Sequence, residues 1–317
     1  MRIIFTGSAP LACACLKALF QAGQDTIAAV VTQPDRPKGR HLKSSPCAVK
    51  ALAEESGLPV LAPANVNSPE SVESIRALAP DLVVVVAYGQ ILKSALLNLP
   101  PMGCVNIHAS LLPHYRGAAP IQWAVANGDD TTGVTSIFMN ERMDAGDIIF
   151  RESLPIRPDD TAASMHDRIA TLGGELLLKT LNALREGNAP RTPQNDADAT
   201  FAPKLAKADG RIDWTCSAVD IYNRIRGFDP WPGTFCVCPR RKDGLLRVKR
   251  AAVEDLPAVA EKKGTPGRIV DLGKTGPLVR TGEGALRLLE LQPAGGKTMD
   301  GNAYLCGHRL AIGEQFE

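Results

Sequence analysis

The sequence predicts an α/β fold: a doubly wound parallel sheet domain followed by a small all-β domain. Three observations support this prediction. Apolar strand-like runs alternate with helix-like segments through the first half of the 317-residue chain. The run DLVVVVAYG is apolar along most of its length, as a strand buried on both faces of a parallel sheet requires. After residue 209, short apolar runs are separated by glycines, which is typical of an all-β domain.

The elements of the first half alternate regularly along the chain. The predicted strands are apolar runs at 2–7, 26–33, 58–63, 81–89, 104–108, 132–140 and 147–156. The predicted helices, at 10–23, 45–57, 68–80, 119–128 and 161–187, begin or end near Pro, Ser or Gly. Ser45 and Pro46 are expected to start the second helix, and Gly173-Gly174 is a weak point of the last. Such βαβ units predict a Rossmann-like sheet that binds its ligands at the carboxyl ends of its strands.

Residues 188–208 are rich in Pro, Ala, Asn and Asp and have no apolar period, so they are predicted to form a linker. This linker separates a first domain over 1–187 from a second over 209–317. In the second domain, an amphipathic helix is expected at 217–228. Strands at 233–238, 245–253, 267–273, 276–282 and 284–293 follow, and they predict a small β-barrel.

The composition is that of an ordinary soluble protein, with 44% hydrophobic and 22% charged residues. The net charge of +2 does not by itself indicate a nucleic-acid partner. The first residues, MRIIFTG, enter a strand directly, without an apolar stretch long enough for a signal or a membrane span. The eight cysteines include no C-x-x-C pair, which favours reduced thiols, no metal site and a cytoplasmic location. No apolar helix stripe suggests assembly, so a monomer is expected.

The strand CVNIH carries two polar residues, Asn106 and His108, in an apolar run. Residues i and i+2 share a face of a strand, so the amide and the imidazole point the same way at the ligand-binding edge. Asp144 follows the next strand in a Gly-containing turn, where its carboxylate could hydrogen-bond the imidazole, raise its pKa and fix its tautomer. Three such groups could carry out acyl-type transfer without a covalent nucleophile. The alternative is a buried histidine bonded to a backbone carbonyl, beside ordinary turn residues.

Two common enzyme motifs are missing, and one long basic loop is present. GSAPLA after the first strand is not G-x-G-x-x-G, and no G-x-S-x-G occurs, which argues against a dehydrogenase and a nucleophile-elbow hydrolase. The loop at 32–46, TQPDRPKGRHLKSSP, includes Lys38, Arg40 and Lys43, and a second basic cluster lies at 240–250. Each is either a solvated surface or a patch for a phosphate-rich partner.

Five stretches together resemble the methionyl-tRNA formyltransferases, a branch of the folate-dependent formyltransferases, over nearly the whole chain. They are VNIHASLLPHYRGAAPIQWA, MDAGD, TQPDRPKGR, GRIDW and IRGFDPWPGTF. The Asn-x-His, Ser-Leu-Leu-Pro and Asp-x-Gly-Asp elements fit folate-dependent formyltransferases in general. The basic loop and the C-terminal Asp-Trp and Pro-Trp-Pro sequences select the tRNA enzymes. The chain departs from the usual pattern at Gly7-Ser8-Ala9-Pro10, at Ala109 and at His114-Tyr115.

The resemblance implies roles for ten residues. The positions that match the catalytic trio are Asn106, His108 and Asp144. The positions that match the folate-contacting loop are Ser110, Leu111, Leu112 and Pro113. The positions that match a loop entering the acceptor stem of the tRNA are Arg40, Lys38 and Lys43. The resemblance also implies an OB-like second domain that contacts the tRNA, 10-formyltetrahydrofolate as formyl donor, no metal, and initiator methionyl-tRNA as partner.

The implied reaction moves a formyl group to the α-amino group of methionine. Asn106 would donate to the oxyanion, and His108, held by Asp144, would assist proton transfer. Two alternatives remain open on the sequence. One is a folate-dependent formyltransferase acting on a small amine, such as an amino-sugar nucleotide or glycinamide ribonucleotide. The other is a nucleic-acid-binding module without activity. Salt-dependent tRNA binding by the second domain would favour the tRNA enzyme over an enzyme acting on a small amine. A folate-binding assay would distinguish a formyltransferase from an inactive nucleic-acid-binding module.

Overall fold

The first part of the chain is built on a seven-stranded sheet. The computed structural model describes residues 1–38, 43–238, 244–256 and 264–317. The strands of the first part are β1 (Arg2–Gly7), β2 (Thr26–Val31), β3 (Arg36–Lys38), β4 (Lys43–Ser45), β5 (Val60–Leu61), β6 (Leu82–Val86), β7 (Cys104–His108), β8 (Arg116–Gly117), β9 (Thr131–Phe138), β10 (Ile148–Pro155) and β11 (Phe201–Ala202). The sheet order is β10-β9-β7-β6-β1-β2-β5. Strands β3 and β4 form a separate hairpin, and β8 pairs with β11.

The five strands from β7 to β5 run parallel, which confirms the predicted doubly wound α/β class. Every residue of β6 and of β7 is buried, as expected for strands covered on both faces. β9 runs antiparallel to β7, and the edge strand β10 runs antiparallel to β9. Their connection, residues 139–147, is shorter than the dozen or so residues that a parallel crossover needs. Phe138 at the end of β9 pairs with Val105, so the turn leaves the sheet at the amino end of β7 and reaches Asn106 and His108 through the Asp144 side chain.

Six helices accompany the strands of the first part within the described residues. They are α1 (Leu11–Ala22), α2 (Ala48–Glu55), α3 (Pro69–Ala77), α4 (Ser94–Leu97), α5 (Pro120–Ala126) and α6 (Ala162–Arg185). Helix α3 begins at the predicted Ser-Pro pair, where the Ser68 hydroxyl accepts from the main-chain N–H of Ser71 at 3.3 Å. Helix α2 begins later than predicted, with Cys47 as its N-cap, because Ser45 belongs to β4.

Helix α6 runs unbroken through the predicted weak point. A Cβ added to Gly174 would lie 3.3 Å from the carbonyl oxygen of Ala14 and from Cβ of Ala18, both in α1. The glycine pair therefore allows α6 and α1 to approach closely, and the packing gained compensates for the low helix propensity of glycine. Sequence periodicity alone does not show this contact, because the two helices are far apart along the chain.

Within the residues that the structure describes, the second part of the chain is an antiparallel sheet with two helices, which agrees with the predicted all-β barrel in strand content. The elements are α7 (Ala218–Gly227), β12 (Thr234–Val237), β13 (Leu245–Glu254), β14 (Ile269–Gly273), β15 (Gly276–Arg280), β16 (Ala285–Pro293), β17 (Met299–Asp300) and α8 (Gly301–His308). The sheet order is β12-β13-β16-β15-β14, with β17 beside β16. Helix α8 was not predicted, because two of its eight residues are glycines. The Asp300 carboxylate caps this helix by accepting from Ala303 N at 2.7 Å.

The chain forms two compact units, and the second includes two excursions from the first part of the sequence. The first unit is Met1–Pro120, Thr131–Pro155 and His166–Pro203. The second is Ile121–Asp130, Ile156–Met165 and Lys204–Glu317. Within the first unit, β11 ties part of the predicted linker to β8. The sequence-based boundaries at 187 and 208 stay predictions. Among the described helices, none has both the length and the apolar character required to traverse a bilayer.

Two contacts explain why the excursions join the second unit. Trp123 packs edge-to-face on Phe228, with ring centroids 5.5 Å apart. Arg226 donates through Nη1 to the carbonyl oxygen of Asp160 at 2.6 Å and through Nη2 to Asn223 at 2.6 Å. Burial lowers the pKa of Arg226, so these hydrogen bonds compensate for the cost of desolvating its guanidinium.

Candidate functional site

The site begins at the carboxyl end of β7, which lies between β6 and β9 in the sheet. Alternation along the strand puts Asn106 and His108 on one face, and both are buried, at 8% and 6% exposure. Cys104 shares that face, but burial raises the pKa of its thiol to about 12. The thiol is therefore protonated at neutral pH and is not a nucleophile there. The amide and the imidazole remain as the reactive groups of this strand.

Asp144 comes to this strand end from the turn between β9 and β10. Its backbone is in the left-handed region, with φ +51°, which Asp tolerates better than most residues. One carboxylate oxygen, Oδ1, accepts from Asn106 Nδ2 at 3.2 Å. The other, Oδ2, accepts from the main-chain N–H of Gly117 at 3.0 Å. The structure thus brings together the amide and the carboxylate that the sequence analysis singled out.

The orientation of His108 comes from a main-chain carbonyl. Its Nε2 lies 2.9 Å from the carbonyl oxygen of Tyr115. A carbonyl oxygen can only accept, so Nε2 carries the hydrogen in the neutral imidazole, and Nδ1 has the lone pair. Nδ1 faces Asp144 Oδ1 at 3.6 Å, which is longer than a hydrogen bond. Tyr115, rather than the carboxylate expected from the sequence, therefore fixes the tautomer.

This arrangement can both donate to an oxygen and accept a proton. The Asn106 amide has two hydrogens, and its bond to Asp144 uses one, so the second is available to another acceptor. His108 Nδ1 can take a proton, and the resulting imidazolium would face the Asp144 carboxylate. The cluster is therefore suited to stabilising an oxyanion and removing a proton from an attacking amine.

The loop after β7 is held by hydrogen bonds that use its polar groups. Ser110 Oγ donates to the carbonyl oxygen of His114 at 2.6 Å, and the Ser110 carbonyl accepts from Thr135 Oγ1 at 2.6 Å. Leu112 has no exposed surface and belongs to a buried cluster with Ile137 and Ile148. The other two loop residues of the sequence analysis, Leu111 and Pro113, are half-buried. Their roles in ligand binding stay predictions.

Leu112→Ala is expected to destabilise the protein by about 2–5 kcal/mol, because it removes a fully buried side chain and leaves a cavity. Urea unfolding followed by circular dichroism measures the change. Ile312→Ala is the control, since Ile312 is 65% exposed and its truncation should cost little. A loss below about 0.5 kcal/mol for Leu112→Ala would show that this loop does not pack as described.

Sequence reasoning missed four residues that shape the site. Tyr115 and Gly117 act through main-chain atoms, which leave no signature in side-chain patterns. Arg116 and Gln194 contact one another, with Gln194 Oε1 accepting from Arg116 Nη2 at 2.8 Å. Gln194 lies inside the predicted linker, 50 residues from Asp144 along the chain, so only the fold brings it to the site.

The three basic residues of the predicted tRNA loop are only partly described. Lys38 and Lys43 stand opposite each other in the β3–β4 hairpin. Arg40 lies outside the described residues, so its predicted role is neither supported nor opposed by the fold. Within the described ranges, no three His, Cys, Asp or Glu side chains are grouped to hold a metal ion.

Comparison with known proteins agrees with this architecture in both parts of the chain. Residues 1–181 match the family described as Formyl transferase, and residues 204–309 match Formyl transferase, C-terminal domain. A methionyl-tRNA formyltransferase from Geobacter sulfurreducens is 47% identical over 313 residues, covering 99% of this chain and 96% of the relative. A second, from Desulfotalea psychrophila, is 46% identical and covers 98% of this chain and 94% of the relative.

Solved structures share the fold at low sequence identity. The N-formyltransferase from Helicobacter canadensis aligns with a TM-score of 0.64 at 15% identity, covering 91% of this chain and 99% of that chain. HypX from Aquifex aeolicus aligns with a TM-score of 0.63 at 19% identity over 99% of this chain, which spans about half (48%) of the HypX chain. With two domain families matched in order and relatives nearly half identical along the full length, the chain belongs to the methionyl-tRNA formyltransferase family.

Proposed function

We propose that this protein transfers the formyl group of 10-formyltetrahydrofolate to the α-amino group of methionine on initiator methionyl-tRNA, and so supports translation initiation. The observation that carries the proposal is the cluster of Asn106, His108 and Asp144 at the carboxyl end of β7. It is supported by relatives at 47% and 46% identity, named methionyl-tRNA formyltransferases, that match this chain through both domains.

Formyl transfer requires that a neutral amine attack the formyl carbon. A free α-amino group has a pKa of about 7.7–8.0, so a usable neutral fraction exists at neutral pH. As the amine attacks, negative charge develops on the formyl oxygen, and the unused hydrogen of the Asn106 amide stabilises that charge. The site fits such a reaction because Asn106 is buried. A hydrogen bond to a developing charge is stronger in a buried site than in water.

The proton of the attacking amine is taken up by His108. Its Nε2–H is committed to the Tyr115 carbonyl, so Nδ1 is the accepting atom. Asp144 stabilises the imidazolium that forms, and its second oxygen is held by Gly117 N, which keeps the carboxylate in place. General acid–base help of this kind contributes roughly 10²–10⁴-fold. The leaving nitrogen of the folate is reprotonated as the tetrahedral adduct collapses, which returns His108 to its neutral form.

The direct test is incubation with labelled 10-formyltetrahydrofolate and charged initiator tRNA, followed by hydrolysis and identification of formylmethionine. The proposal requires label on the α-amino group of methionine and a dependence on both substrates. Label that stays on the folate, with an intact and folded enzyme, would refute it. A folate-binding assay in parallel separates an inactive nucleic-acid-binding module from an enzyme with a different acceptor.

Transfer to a small amine is the less favoured candidate. The N-formyltransferase crystallised with dTDP-3-aminofucose shares only 15% identity with this chain, which supports a common fold and nothing finer. The relatives at 45–47% identity cover nearly the whole chain, including the second domain. A second domain that binds tRNA with a clear salt dependence would support the tRNA acceptor.

The basic segment at 32–46 is proposed to contact the tRNA through Arg40, with Lys38 and Lys43 nearby in the sequence. Arg40→Ala is expected to raise the KM for methionyl-tRNA and to reduce the log–log salt slope of tRNA binding by about one, because one phosphate contact is lost. Folate binding should not change. Arg76→Ala on the exposed face of α3 is the matched control. An equal loss of folate and tRNA binding would show that the loop has a structural role instead.

A monomer acting in the cytoplasm completes the proposal. The chain has a mass of 33.8 kDa, so light scattering during size-exclusion chromatography should report a single species near that mass. A stable species of twice that mass would contradict the monomer. Fractionation of cells with an antibody to the protein tests the location.

A further inference from the structure

We infer that Gln194 is a positioning residue that holds the turn carrying Asp144 in its reactive geometry, an inference that rests on the proposed function. Gln194 lies after α6, and its amide Nε2 donates to the main-chain carbonyl oxygens of Asp144 and Gly146, both at 2.8 Å. One side-chain amide therefore bridges two carbonyls within a three-residue stretch of the turn. No motif of the sequence analysis includes this residue.

The turn needs such support because its backbone is unusual. Asp144 has φ +51°, a left-handed conformation that residues with a side chain adopt at a cost. Gly146 is packed so closely that an added Cβ would overlap the carbonyl oxygen of Phe138, at 1.6 Å. The carboxylate that faces His108 is thus carried by a constrained loop between two strands, and its position depends on what holds the loop.

Gln194 is itself held from the opposite side by a buried cation. Its Oε1 accepts from Arg116 Nε at 3.1 Å and Nη2 at 2.8 Å, and Arg116 is only 3% exposed. Arg116 also pairs with Asp196 at 2.9 Å, and Asp196 pairs with Arg142, on the Asp144 turn, at 2.6 Å. Hydrogen bonds from these two arginines lower the pKa of Asp196, so its carboxylate is ionised at neutral pH. This network therefore holds Gln194 in place before any substrate binds.

The hydrogen bonds of the Gln194 side chain indicate a positioning role rather than substrate binding. Both hydrogens of the Gln194 amide go to the turn, and both lone pairs of its oxygen go to Arg116. The side chain has nothing left to offer a substrate. It should therefore act on the reaction only through Asp144, and its loss should lower kcat without raising either KM. A misplacement of about 1 Å can cost on the order of 100-fold in rate.

Gln194→Glu is the sharpest variant, because it keeps the acceptor for Arg116 and replaces the donor to the turn with a second oxygen. That oxygen would repel the carbonyls of Asp144 and Gly146, while the new charge strengthens the pair with Arg116 and keeps the fold. Asn182→Asp is the matched control: it adds the same charge at an exposed side chain of α6 whose Oδ1 already accepts from Arg185 at 2.7 Å.

Two readouts test the inference. Hydrogen–deuterium exchange of the peptide over 139–147 should rise in Gln194→Glu and stay unchanged in Asn182→Asp. The formylation kcat should fall about 10- to 100-fold with both KM values within twofold of wild type. In an Asp144→Asn background, Gln194→Glu should cause no further loss, because both changes act through one group.

Each outcome decides a separate point. Unchanged exchange over the turn, or a multiplicative loss in the double variant, overturns the positioning role. A rise in either KM with constant kcat overturns it in favour of substrate binding. If wild-type protein makes no formylmethionine, the proposed function fails. The exchange measurement would then still decide whether Gln194 holds the turn.

Discussion

Replacing Asn106 by alanine is expected to slow formyl transfer by about 100- to 1,000-fold, which corresponds to roughly 2.7–4 kcal/mol of lost transition-state stabilisation. The reason is that the buried Asn106 amide uses one hydrogen in its bond to Asp144, so its second hydrogen can bond the formyl oxygen. The charge on the formyl oxygen develops only during attack, so folate affinity should change little.

Rapid-quench measurement of formylmethionyl-tRNA in a single turnover checks this expectation, because product release does not limit that signal. Asn182→Ala is the control, since Asn182 is exposed on α6 and only accepts a hydrogen bond from Arg185. A near-wild-type rate for Asn106→Ala would remove this amide from the mechanism. A parallel loss of folate affinity would instead assign it to ground-state binding.

Asp144→Asn is expected to reduce the single-turnover rate by about 10²- to 10⁴-fold, in the range of a lost acid–base contribution. Gly117 N requires an acceptor, so the new amide would turn its oxygen toward Gly117 and its nitrogen toward His108 and Asn106. An amide N–H directed at Nδ1 would occupy the lone pair that accepts the proton. The backbone of the turn should stay in place, because Gln194 contacts only main-chain atoms there.

Asp147→Asn provides the matched control for this variant. Asp147 lies in the same connection between β9 and β10, and its carboxylate is 3.9 Å from Arg191 rather than at the His108 cluster. Asp147→Asn is expected to retain nearly full activity. Comparable losses in both variants would point to a general effect of charge in the turn, and the specific pairing of Asp144 with His108 would then be abandoned.

Most of the fold could be predicted, because the spacing of apolar residues and the positions of turn residues indicate where strands and helices lie. The continuous run at 81–89 became the fully buried β6, and the Gly-bounded runs after 209 became the antiparallel strands. What the pattern could not supply was orientation at the edge of the sheet and packing between distant helices. The antiparallel pair β9–β10 and the unbroken course of α6 past Gly174 depend on contacts between distant parts of the chain.

The site could be predicted in part for the same reason. The two-residue period placed Asn106 and His108 on one face, and chain order suggested that Asp144 follows the neighbouring strand. The tautomer of His108 could not be derived, because it depends on the Tyr115 main-chain carbonyl. Gln194 was hidden in a segment whose composition indicates a linker, since composition does not record a single long-range hydrogen bond.

The choice of acceptor is the central claim, and a comparison of acceptors tests it most directly. Initial rates with 10-formyltetrahydrofolate would be measured for charged initiator methionyl-tRNA, glycinamide ribonucleotide and an amino-sugar nucleotide under identical conditions. We expect rapid formylation of methionyl-tRNA, abolished by deacylating the tRNA, and no significant transfer to either small amine. A higher kcat/KM for a small amine than for methionyl-tRNA would contradict it.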